Sequence, residues 1–152
     1  MGLPPFQRFL DVHRDDVYRF LVASVGGHDA EDCFQETFLA ALRAYPRLTS
    51  GENLRGWILT IAHRKAIDVH RARARHAAGE VPEGAAPPDR IDGEPALWAE
   101  VRALPAKQRA AVVHRYVNDL PYADIGNVLG CSTDAARRSV HEGLKKLREV
   151  WK

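Results

Sequence analysis

Cysteine is nearly absent from this chain. Only Cys33 and Cys131 occur, far apart and outside any C-x-x-C or paired Cys/His spacing, which argues against a disulfide framework or a zinc site. No apolar run reaches the roughly 18 residues that a membrane helix needs. Pro4, Pro5 and Arg8 interrupt any apolar core that a signal peptide would require. Membrane insertion is therefore not expected, and the protein reads as cytoplasmic. Strand-like alternation of apolar and polar residues is missing throughout, which leaves an all-α fold. There is no P-loop, no G-x-G-x-x-G, no H-E-x-x-H and no G-x-S-x-G. His13, His63, His70, His76 and His114 show no ligand spacing to a nearby carboxylate pair, and His63 and His70, seven apart, read as a surface pair among arginines. An enzyme is not expected, and neither a cofactor nor a metal is implied.

What the chain does have is an uneven distribution of charge. The net charge is only +2. Yet Arg55, Arg64, Lys65, Arg71, Arg73 and Arg75 face a single acid, Asp68, between Arg55 and His76. Between Glu80 and Glu100, by contrast, the acids outnumber the one base, Arg90. A basic helix followed by an acidic tether is the simplest reading.

Residues 121–147, PYADIGNVLGCSTDAARRSVHEGLKKL, have the grammar of a helix-turn-helix. A short helix from Tyr122 to Leu129 stops at Gly130, the residue type best able to take the left-handed conformation that ends a helix. Ser132 follows as an N-cap. Gly126 leaves room for a close helix crossing. Ala136, Val140, Leu144 and Leu147 make one buried face of the second helix. Arg137, His141 and Lys145 recur at i, i+4, i+8 on another, flanked by Ser132, Thr133 and Arg138. Such a stripe is ordinarily a solvated face. The turn glycine, the cap and the small residue at the crossing point instead to a helix for the DNA major groove, where Arg pairs with guanine and cations follow phosphates.

The rest divides into two small helical domains joined by a flexible linker. The first, residues 1–76, holds three helices. Phe6, Leu10, Val17 and Leu21 mark one, ended by Gly26-Gly27. Ala30, Phe34, Phe38, Leu42 and Tyr45 mark the next, closed by Pro46. After a polar loop, Leu54, Ile58, Ile61 and Val69 point inward from a long third helix. Residues 77–93 carry Pro82, Pro87, Pro88 and three glycines and read as the linker. Stretched, they span at most about 60 Å, on the order of one and a half turns of B-DNA. The two blocks are therefore expected to pack little against each other. The second domain, residues 94–152, opens with Leu97, Val101 and Leu104, restarts at Pro105, and runs through Ala110, Val113 and Val117 into the helix-turn-helix.

The two blocks together resemble the extracytoplasmic-function (ECF) sigma factors of the bacterial sigma-70 family. In the first, DAEDCFQETFLAALRAYPRL (Asp29–Leu48) and NLRGWILTIAHRKAIDVHRARAR (Asn53–Arg75) are similar to the central segments of the family's promoter-melting domain. In the second, LPAKQRAAVVHRYVNDLPYADIGNVLG (Leu104–Gly130) and the helix after it are similar to the family's C-terminal domain. The resemblance implies core RNA polymerase and promoter DNA as partners, with an anti-sigma factor as a further candidate. It implies −35 reading by Ser132, Thr133, Arg137, Arg138, His141 and Lys145. It implies −10 reading by Asn53, Leu54, Trp57, Thr60, Arg64, Arg71 and Arg75, with the loop before Leu54 holding an extruded base. Polymerase docking falls to Asp32, Gln35, Glu36 and Leu39, an acidic and amide surface beside the Phe34/Phe38 stripe. Relatives often carry Asn at the place of Arg64 and a base at the place of Glu142. A free-standing helix-turn-helix regulator, acting without polymerase, is the alternative that the second block alone would permit.

Overall fold

The computed structural model describes residues 2–79 and 96–150, and within them the fold is all-α. Helix α1 spans Phe6–Val25, α2 Gly27–Ala44 and α3 Leu54–Gly79. A single 3-10 turn, Tyr45–Arg47, follows α2. Helices α4 (Ala96–Arg102), α5 (Ala106–Tyr116), α6 (Tyr122–Leu129) and α7 (Thr133–Val150) complete the second block. The last three residues of α3 take in the start of the stretch expected as linker, and the rest of that stretch lies outside the described residues.

The first block is a three-helix bundle built on aromatics. Phe9 is the hub. Its ring lies 5.6 Å from Phe6, 6.4 Å from Phe38, 5.2 Å from Tyr45 and 5.6 Å from Trp57. Val17, Phe20, Leu21, Val25, Ala30, Ala41, Ile58 and Leu59 fill the remainder, each large side chain contributing on the order of 1.5–3 kcal/mol by leaving water. Arg73 fastens α3 to the corner between α1 and α2: it donates to the Val25 carbonyl at 2.7 Å and pairs with Asp29. Leu42, expected in the core, is 51% exposed. The periodicity of α2 drifts there, and Ala41 takes the inward place.

In the second block α5, α6 and α7 pack around Val113, Ile125, Val140 and Leu147. The buried Arg109 ties the α4–α5 corner by donating to the carbonyls of Arg102 (2.9 Å) and Leu104 (3.1 Å).

The expectation that the two blocks pack little fails. Helix α1 meets α4 and α5, and α3 meets α6. Phe20 of the first block stacks on His114 of the second, with centroids 4.3 Å apart and planes 7° from parallel. Asn118, in the turn after α5, donates from Nδ2 to the Asp16 carbonyl at 2.9 Å. Its own carbonyl accepts from Arg55, whose Nε pairs with the Asp16 carboxylate at 2.9 Å. Leu59, Ala62 and Ala66 of α3 are all buried. Linker length set only an upper limit on separation; it said nothing of the apolar surface that each block offers the other.

Candidate nucleic-acid and docking surfaces

The turn before α7 is built as its sequence requires. Gly130 ends α6 in the left-handed region (φ 72°, ψ 34°), and the Cys131 N–H closes the turn on the Gly126 carbonyl at 2.9 Å. The Ser132 hydroxyl oxygen then accepts from the Ala135 N–H at 3.0 Å. Gly126 is a contact of closest approach, though to the turn rather than to a crossing helix. A Cβ there would lie 2.7 Å from the Cys131 carbonyl oxygen. The close helix crossing is at Gly143, where a Cβ would lie 2.7 Å from a Val112 methyl. Sequence reasoning missed it; a lone glycine inside an amphipathic helix was the available signal. Gly143 also takes the buried place expected for Leu144, which is only half-buried.

With that face inward, Thr133, Arg137, Arg138, His141 and Lys145 all stand in solvent. Arg137 is oriented by its own domain: it pairs with Asp134 at 2.8 Å and lies over the Tyr122 ring, 5.1 Å from its centroid. Arg138 and Lys145 make no ion pair among the described residues. Glu142, the acid inside the stripe, accepts from Gln108 Nε2 of α5 at 3.3 Å. It is thus engaged by the domain's own scaffold.

On α3 the expected stripe divides. Arg64, Arg71 and Arg75 are exposed. Trp57 is half-buried beside Phe9 and Tyr45 (5.6 and 6.3 Å), so its indole is chiefly part of the bundle core. The half-buried Thr60 donates its hydroxyl back to the Gly56 carbonyl at 2.7 Å, and Leu54 packs against the core. Asn53 sits at φ 55° and caps the helix, its Oδ1 accepting from the Gly56 N–H at 3.1 Å. Gly56 must lack a side chain for this: a Cβ would lie 2.4 Å from the Asn53 amide nitrogen. That leaves the Nδ2 of Asn53 for any contact with a base. Among the other cations of the basic segment, Arg55 and Arg73 hold the fold together, as described above.

Asp32, Gln35, Glu36 and Leu39 lie at i, i+3, i+4 and i+7 on α2, all exposed. Leu39 is 47% exposed, and Leu42 extends the patch. Acids around accessible leucines make a surface suited to a partner with complementary cations and apolar side chains.

His63 and His70 are not a surface pair. Both face the seam between the blocks, and His114 is wholly buried there, its ring 6.0 Å from His63 and both its nitrogens without a hydrogen-bond partner. Burial, then the Arg109 and Arg64 charges, push His63 down to about 4. Burial, then Arg109 and Arg73, do the same to His70. Burial, then His63 and Arg55, push His114 down to about 3. Arg109 itself falls to about 10, through burial and the nearby Arg73. Burial, followed by the Asp29 charge, pushes the Cys33 thiol up to about 11, the opposite of what a reactive cysteine needs. Among the described residues no three His, Cys, Asp or Glu gather as metal ligands, and no helix is long and apolar enough to cross a membrane.

Comparison with known proteins matches residues 9–76 to Sigma-70 region 2 and residues 95–147 to Sigma-70, region 4. The chain is 32% identical over 160 residues to the ECF RNA polymerase sigma factor SigE of Mycolicibacterium smegmatis, covering 97% of this chain and 62% of that protein. It is 32% identical over 159 residues to the RNA polymerase sigma factor CarQ of Myxococcus xanthus, covering 95% and 88%. In fold it is similar to the sigma factor RpoE in its complex with the anti-sigma factor NepR from Bartonella quintana, with a TM-score of 0.77 at 23% identity over 96% of each chain. The structure of CnrH in complex with the cytosolic domain of CnrY gives 0.74 at 19% identity, over 96% of this chain and 86% of that one.

Proposed function

The chain belongs to the ECF sigma factors of the sigma-70 family, and from that premise we propose that it binds core RNA polymerase and directs it to promoters. The observation that carries the reading is the separation of exposed surfaces on one chain. The α3 cations Arg64, Arg71 and Arg75, the α7 cations Arg137, Arg138 and Lys145, and the acidic face of α2 are all in solvent at once. A stand-alone regulator would need only the second block, whereas the region 2 match spans the first.

In this reading α7 enters the major groove of the −35 element, where Arg137, held by Asp134 and Tyr122, is oriented toward base edges. Arg138 and Lys145 neutralise phosphates, which position the helix without reading sequence. On α3, Arg64, Arg71 and Arg75 follow the backbone of the −10 strand. Asn53 and the loop before it take up an unstacked base. Opening the duplex needs no covalent step: contacts to extruded bases offset the few kcal/mol, roughly, of unstacking them. Asp32, Gln35, Glu36 and Leu39 dock the polymerase, whose affinity lets each DNA contact remain weak. The protein would act in the cytoplasm, with an anti-sigma factor as a further partner that holds it silent.

Gel filtration with core RNA polymerase tests this. The protein should co-elute with the enzyme, and Asp32→Ala/Glu36→Ala should free it. Co-elution of the double variant at wild-type level would reject the α2 docking face. No co-elution of the wild type would reject the function.

A further inference from the structure

The seam joins the two blocks through a polar lock and a ring stack. Arg55 stands at the centre of the lock: it pairs with Asp16 of α1 and donates to the Asn118 carbonyl after α5. Asn118 returns a bond to the Asp16 carbonyl at 2.9 Å. Beside the lock, the His114 ring of α5 lies on Phe20 of α1 and 6.0 Å from the His63 ring of α3. Closure leaves both nitrogens of His114 and the Oδ1 of Asn118 buried without a partner, so it forfeits hydrogen bonds that parted blocks would make to water.

The charges around the two rings share one sign. They are Arg55 and Arg64 of α3 and Arg109 of α5. Helix α1 presents the Phe20 ring, and its Asp16 is already taken by Arg19 and Arg55. Among the described residues, α4, α6 and α7 add no charge that acts on either ring. His70 is bonded to the Ser24 backbone within its own block and is not counted here. A separate observation sets what opening would do. Helix α3, which carries the −10 cations, packs on α6, the first helix of the −35 reader. The two elements lie about 25 base pairs apart, or about 85 Å at about 3.4 Å per pair. With α3 against α6 the chain cannot reach both at once.

We infer that the seam is a latch released by acid: His63 and His114 each take up a proton as the blocks part, so falling pH converts a closed chain, unable to span both promoter elements, into an open one. The promoter consequence rests on the function proposed above, whereas the latch is a property of the free chain. In the closed chain the rings stay neutral down to about pH 4 for His63 and about pH 3 for His114. Exposed, each titrates near 6.5. Lowering the pH from 7.5 to 5.5 should therefore raise the ratio of open to closed chain about tenfold per histidine, or about a hundredfold for the two.

Small-angle X-ray scattering of the full chain, with helical circular dichroism on the same samples, tests the latch. Wild type should be compact at pH 7.5. At pH 5.5 its radius of gyration should rise while the helical signal stays unchanged. His63→Gln/His114→Leu should remain compact at both, and His63→Gln alone, the milder change, should lose about tenfold of the acid effect. Arg55→Gln, which unties the lock and leaves both rings in place, should open at a higher pH than wild type. No expansion of wild type at pH 5.5, or expansion only with loss of helix, would overturn the latch. Acid expansion of a folded His63→Gln equal to that of wild type would overturn it too. Failure of wild type to co-elute with core polymerase would instead remove the promoter consequence, while the scattering still decides the latch.

Discussion

Acid should loosen this protein in a window that one histidine helps to define. His114 is fully buried at the seam, stacked on Phe20, with no partner for either nitrogen. The groups facing it are His63 and Arg55 from α3, and both disfavour a second positive charge. It therefore stays neutral in the folded chain until about pH 3, and His63 until about pH 4. In the unfolded chain both titrate near 6.5. Between those limits the unfolded state binds more protons, so stability falls as pH drops through 6.5. At pH 5 the loss is set by the unfolded value, because the folded one lies below the pH of measurement. It is 1.5 pH units at about 1.4 kcal/mol each, or about 2 kcal/mol per histidine. That is a large share of a typical stability of roughly 5–15 kcal/mol. Asp16 acts in the same direction but in a lower window. Burial raises its carboxyl, yet hydrogen bonds from Arg19 and Arg55 outweigh this and hold it below its ordinary range, so its contribution is lost only below about pH 4. His13, also lowered by burial, titrates in both wild type and variant and cancels between them. Urea unfolding followed by helical circular dichroism, at pH 7.5 and pH 5, should show wild type losing about 2 kcal/mol more than His114→Leu. With urea slopes of about 1–3 kcal/mol/M, the difference is on the order of 1 M in midpoint. An equal acid loss in the two proteins would refute a buried neutral His114 and, with it, the tight seam between the blocks.

Gly126→Ala should cost on the order of 1–3 kcal/mol, because its Cβ would press on the backbone carbonyls of Cys131 and Ser132 rather than on a yielding side chain. Gly130→Ala meets nothing within 4 Å and should cost only the left-handed backbone penalty of about 1–2 kcal/mol. Thermal melts read both, and only Gly126→Ala should displace α7 enough to weaken binding to −35 duplex beyond its effect on stability. Arg138→Ala should weaken that binding about uniformly across sequences and lower the slope of log affinity against log salt by about 1. A loss confined to one base pair would instead make Arg138 a base reader.

Helix order, the capped turn and the exposed faces of α2 and α7 were legible because each depends on local rules. Gly130 and Ser132 terminate and start helices by their own backbone and side-chain chemistry, and Asp32, Gln35, Glu36 and Leu39 follow from helical period alone. The seam was not legible. His63, His70 and His114 have ordinary surroundings in sequence, and their burial arises only when α3 and α5 meet across the 50 residues of chain between His63 and His114. Arg55 and Arg73 counted in sequence only toward the charge of the basic stretch, and their structural role was hidden for the same reason: their partners Asp16, Asn118 and Asp29 are distant in sequence. The resemblance assigned Trp57 to the −10 surface, whereas the Phe9–Tyr45 cluster, remote in sequence, draws its ring inward. Glu142 looked like a fault in the stripe until Gln108 supplied its partner.

Run-off transcription with purified core RNA polymerase tests the central claim most directly. Genomic fragments incubated with core enzyme alone should give no discrete starts. Adding the full-length protein should produce transcripts from a defined subset, each start preceded by common −35 and −10 elements. Tight binding of the protein to DNA in the absence of polymerase, with no new start site when polymerase is present, would contradict it.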